Sequence, residues 1–121
     1  MGGIMAKLIR VWDGTEWQTV GIAAALPYAF NVVQSANGTM LAGRNYFVDT
    51  SAARTLTLPA SPSVGDTISI YDATGTAATN NITIARNGSK INGQTEDAII
   101  DVNQASSTFV YTGATVGWRF D

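Results

Sequence analysis

The chain has 121 residues, a mass of 12.7 kDa and a formal net charge of −2, with 45% apolar and 13% charged residues. That size fits one domain with room for a core, and the scattered basic residues exclude the clustered Lys and Arg of an electrostatic nucleic-acid binder. With no Cys and no His, disulfides, thiolate or imidazole metal sites and the Ser-His and Cys-His nucleophiles are all excluded.

At the start of the chain, Leu8-Ile9-Arg10-Val11-Trp12 and Trp17-Gln18-Thr19-Val20 flank Asp13-Gly14-Thr15, a strong turn signal, and together predict a hairpin. Its tryptophans form a cross-strand aromatic pair, so Trp12 and Trp17 are candidates for stacking on a sugar ring or a partner as well as for plain hairpin packing. No signal peptide is expected, because Trp12, Asp13 and Glu16 stand where a long apolar region belongs. Gly21 to Phe30 is small and apolar, broken by Pro27, and far short of the roughly 20 residues that span a bilayer. Ala23-Ala24-Ala25 is a weak helix signal within it. Ile22, Leu26, Tyr28 and Phe30 in this stretch need a cover, which marks them as candidate contacts to a larger assembly.

Asn31 to Gln34 and Arg44 to Val48 read as short strands, with a turn over Ser35 to Thr39. The clearest patterning follows. In Thr55-Leu56-Thr57-Leu58, Thr67-Ile68-Ser69-Ile70 and Asn81-Ile82-Thr83-Ile84, a small polar residue alternates with an aliphatic one. Strand side chains alternate between faces, so the Leu and Ile residues point to a core and the Thr and Ser residues outward. Pro59, Pro62, Gly65, Thr74-Gly75-Thr76 and Asn80 punctuate the strands. Two Asn-Gly pairs, Asn87-Gly88 and Asn92-Gly93, supply positive-φ turns at little cost. The last strands are Ala98 to Val102, Ser107 to Thr112 and Trp118 to Phe120, whose Trp118 seals one end of the domain.

Turns at this spacing predict an all-β chain: an antiparallel β-sandwich or prism-like domain over 35–121, preceded by a hairpin and attachment arm over 1–34. Exposed aromatics of the β domain, Tyr71 and Tyr111, join the two tryptophans as candidate glycan or partner contacts. Catalysis has little to work with. A Ser-Lys pair would need Lys7 or Lys90, which lie in no motif, and no phosphate-binding loop occurs. Of the acids, Asp13 reads as a turn residue, Asp66 as a strand start and Asp72 as a strand end; Glu96-Asp97 sits in a loop that resembles no calcium loop. No catalytic, metal or cofactor residue is assigned.

From Leu56 to Phe120 the chain resembles a module found near the C-terminal ends of tailed-bacteriophage fibre and appendage proteins. The residues that carry the resemblance are Leu58-Pro59-Ala60, Val64-Gly65-Asp66-Thr67-Ile68, Asp72-Ala73 with Gly75, Asn81 to Ile84, Arg86 to Gly93, Phe109 to Gly113 and Gly117-Trp118-Arg119. Lys7 to Val20 is similar to a segment common in phage virion proteins. The resemblance implies a non-enzymatic virion component: a homotrimeric short tail fibre or fibre tip, or a capsid decoration protein. Its partners would be copies of itself, other virion proteins and, in a rival reading, host surface glycan. The long shaft usual in fibre polypeptides is missing from this sequence.

Overall fold

A computed structural model describes residues 9–12, 17–20 and 30–120. The described residues form strands and turns and no helix. Strands β1 (Ile9–Trp12) and β2 (Trp17–Val20) make a two-stranded antiparallel sheet with Trp12 opposite Trp17, as the hairpin reading requires. The Asp13-Gly14-Thr15 turn and the Ala23-Ala24-Ala25 stretch lie outside the described residues.

The remaining strands are β3 (Phe30–Gln34), β4 (Gly38–Thr39), β5 (Arg44–Val48), β6 (Arg54–Thr57), β7 (Thr67–Asp72), β8 (Ile82–Ala85), β9 (Ala98–Ile100), β10 (Ser106–Tyr111) and β11 (Trp118–Arg119). They divide between a five-stranded sheet, in the order β11-β10-β7-β5-β3, and a four-stranded sheet, in the order β4-β6-β8-β9. From β3 to β8 successive strands alternate between the two sheets, so the chain coils. Each turn of the coil lays a strand parallel to its predecessor: Phe30 lies opposite Arg44, and Arg44 opposite Ile68, in one sheet, with Gly38 opposite Leu56, and Arg54 opposite Ile82, in the other. β9, β10 and β11 then close the coil with antiparallel pairs.

This corrects the antiparallel expectation: both sheets are mixed, and only the closing strands pair as expected. Strand alternation reports which side faces the core, not which strand lies alongside. A parallel pair needs a crossover to bring the chain back to the same end. Here a strand of the opposite sheet is that crossover, so breakers such as Pro59, Pro62 and Gly65 carry the chain across the core instead of reversing it within one sheet.

The face assignment itself holds. Leu56, Leu58, Ile68, Ile70, Ile82 and Ile84 are fully buried, in one cluster with Tyr46, Val48, Ile100, Phe109 and Trp118. Each such aliphatic contributes about 1.5–3 kcal/mol by leaving water. Thr55 is exposed, and Thr57, Ser69 and Thr83 are half-buried. Gly38-Thr39, expected as turn, forms a two-residue strand beside Leu56-Thr57, and Met40 behind it is fully buried.

Both Asn-Gly pairs adopt the positive-φ conformations foreseen for them, 49° and 90° at Asn87-Gly88 and 48° and 78° at Asn92-Gly93. The second closes a tight hairpin in which Ile91 and Gln94 exchange backbone hydrogen bonds of 3.0 and 2.8 Å. A division of the chain at residue 34 follows the end of β3. That strand pairs along its length with β5 and so belongs to the five-stranded sheet.

Candidate functional site

The outer face of the five-stranded sheet carries the most organised set of exposed side chains. Register places Val33, Phe47, Tyr71 and Ser106 in one row across β3, β5, β7 and β10. Phe47 and Tyr71 stack, with ring centroids 4.7 Å apart and planes within 11°. That centroid spacing equals the distance between neighbouring strands, so the sheet itself sets the stack. One row along, Asn31, Asn45, Ser69 and Thr108 form a polar band. The Asn45 amide donates to Asn31 Oδ1 at 3.0 Å, and the Ser69 and Thr108 hydroxyls lie 2.9 Å apart. The outer face of the other sheet shows Thr39, Thr55, Thr57, Thr83, Ala85 and Ile99. Across both outer faces Arg119 is the one charged side chain among the described residues.

The candidate aromatics do not make one site. Tyr71 is on the outer face, whereas Tyr111 has the parity of buried Phe109 and turns inward, meeting Trp118 edge-on at 5.4 Å. Trp118, 0% exposed, closes that end of the core as anticipated. Trp12 and Trp17 are backbone partners in the separate hairpin sheet. Ile22, Leu26 and Tyr28 lie outside the described residues, and Phe30 opens β3 opposite Arg44.

Asp72 has a role that its reading as a strand end missed. It is 6% exposed, and its carboxylate gathers donors from three loops. Oδ1 accepts from the Thr50 hydroxyl at 2.6 Å and the Gly75 N–H at 2.9 Å; Oδ2 accepts from the N–H groups of Ala77 and Gln104, each at 2.9 Å. Burial by itself would raise its pKa. The hydrogen bonds from Thr50, Gln104, Ala77 and Gly75 outweigh burial and hold the carboxyl down to about 2. Thr50, fully buried, ties the same corner together: its carbonyl accepts from Thr76 Oγ1 at 2.7 Å and Asn80 Nδ2 at 2.9 Å. The sequence signal was Asp72-Ala73-Thr74-Gly75-Thr76, an Asp leading into a glycine turn whose N–H its side chain accepts from. Every donor here serves the carboxylate as an anion, and together they tie three loops to one corner. Asp49 at the nearby surface is also lowered, first by the Ser51 N–H, then by hydrogen bonds from the Ser51 and Thr74 hydroxyls, with Arg54 3.8 Å away adding less.

Glu96 and Asp97 are exposed, and Asp97 Oδ1 accepts from the Arg86 N–H at 3.0 Å. Among the described residues no three acids gather where a metal ion would sit. Shallow clefts adjoin Phe120, one lined by Thr108, Val110 and Arg119 with a volume of about 240 Å³. That is below the range of typical small-molecule pockets. No protein-family model and no curated protein matches the chain.

Proposed function

We propose that the protein is a non-enzymatic structural component of a bacteriophage virion, a homotrimeric surface appendage of the short tail fibre or fibre-tip kind, in which the two sheets act as one sandwich-like or prism-like unit. The resemblance of Leu56 to Phe120 to appendage modules motivates this reading. The observation that carries it is the nearly uncharged pair of outer sheet faces, where Arg119 is the one charged side chain among the described residues and Thr, Ser and Asn are interspersed with Val33, Phe47, Tyr71 and Ile99. Depletion of charge is the compositional mark of a surface that packs against protein. A neutral face also meets a copy of itself without repulsion. A capsid decoration protein would use the same surfaces, and cryo-electron microscopy of the parent particle separates the two by where the copies sit.

A second reading, binding of host surface glycan, is favoured by one feature: the Phe47–Tyr71 stack beside the Asn31–Asn45 amide pair. Multi-angle light scattering tests the first reading, with a trimer expected and a monomer at micromolar concentration counting against it. Glycan-array binding that Tyr71→Ala abolishes would favour the second.

A further inference from the structure

The two sheets have four edges, and three are protected in recognisable ways. β4 is two residues long. β9 has three residues, flanked by Glu96-Asp97 and Asp101. β11 is covered by a neighbouring segment: the Trp118 N–H donates to Lys90 O at 2.8 Å, and the Asn92 N–H donates to Trp118 O at 2.7 Å. Short edge strands, flanking charge and a covering loop are the ordinary defences against unwanted strand pairing.

β3 has none of these among the described residues. It is five residues long, Phe30-Asn31-Val32-Val33-Gln34, with no charge and no proline, and Val33 is 81% exposed. The chain also carries an element with the opposite need. Among the described residues β1 and β2 form a sheet of two strands with no third strand, and an isolated two-stranded hairpin is marginal in water. Within one chain the hairpin and β3 belong to separate sheets, so neither completes the other.

We propose that the β1–β2 hairpin of one copy adds to the β3 edge of a second copy, extending the five-stranded sheet across the subunit boundary. The inference rests on the self-assembling reading above and names its contact. Donation of this kind is head-to-tail, because the surface that gives differs from the surface that receives. Such a contact forms a closed ring when its rotation matches the symmetry, as it would in a trimer. Backbone hydrogen bonds supply the affinity, as in other strand additions.

The natural chain has no cysteine, so a cross-linking test is clean. Full-length Thr19→Cys chains and full-length Val33→Cys chains, one of the two carrying an added tag that makes it larger, are co-expressed and treated with a short bismaleimide. A mixed cross-linked pair is expected, together with its absence when Thr83→Cys on the other sheet replaces Val33→Cys. If the wild type is trimeric by light scattering and no mixed pair forms, hairpin donation is overturned while self-assembly stands. The same holds if a chain carrying both Thr19→Cys and Val33→Cys cross-links within itself while the singly substituted chains form no mixed pair. A monomeric wild type overturns both.

Discussion

The Thr50 hydroxyl donates to Asp72 Oδ1 at 2.6 Å, joining the loop after β5 to the end of β7 through two residues that are both buried. Three backbone N–H groups complete the shell of the carboxylate. Asp72→Asn keeps one acceptor oxygen but turns an NH₂ toward those donors, and should cost about 2–3 kcal/mol in urea unfolding. The folded pKa of about 2 lies below the reference value of 3.8. The resulting stabilisation, about 2 kcal/mol, is therefore complete above the unfolded pKa and is lost as pH falls from about 4 toward 2. Unfolding curves at neutral pH and near pH 2 should show that loss in the wild type, with the Asp72 part of it missing in Asp72→Asn.

Gly117 has φ +79°, and a Cβ built on it would sit 2.0 Å from Lys90 O. Backbone lies on both sides of the contact, since the Trp118 N–H donates to that same carbonyl at 2.8 Å. Neither side can yield by a side-chain rotation. Gly117→Ala should cost more than about 3 kcal/mol, combining a strained φ with loss of the covered β11 edge. A thermal scan that leaves the midpoint unchanged would refute this.

Asn92 does two jobs that substitution separates. Its φ of 48° favours Asn or Gly, and its side chain holds Phe120, accepting from the Phe120 N–H at 3.0 Å and donating to the Phe120 carbonyl at 3.3 Å. Asn92→Gly keeps the turn and frees Phe120, at an expected cost of about 1 kcal/mol. Asn92→Ala loses both and should cost about 1 kcal/mol more. Equal unfolding midpoints for the two variants would show that the turn geometry carries no cost.

The two faces of the central strands should respond unequally. Ile68→Ala or Ile82→Ala opens a cavity at a fully buried site and should cost about 2–5 kcal/mol. Thr57→Ala and Thr83→Ala, on the outer face of the four-stranded sheet, should cost under about 1 kcal/mol. Chemical denaturation of the four variants checks this, and a reversed order would mean that the inside and outside had been exchanged.

What the sequence determined by itself was local. The alternation in Thr55 to Leu58, Thr67 to Ile70 and Asn81 to Ile84 named the buried residues, because a strand's period of two follows from backbone geometry alone. Asn87-Gly88 and Asn92-Gly93 marked their turns for an equally local reason, the tolerance of Asn and Gly for positive φ. The expectation that Tyr71 and Tyr111 are both exposed fails at Tyr111, although the pattern held the reason: Tyr71 follows inward Ile70, while Tyr111 shares the parity of inward Phe109. Tertiary structure decided which strands became neighbours. The same alternation suits a reversing meander and a coil equally well. Pairing Arg44 with Ile68 and Arg54 with Ile82 depends on how distant segments share one core. It also decided the work of Asp72, whose donors Thr50 and Gln104 lie far from it along the chain and meet it only once the coil has brought those loops to one corner.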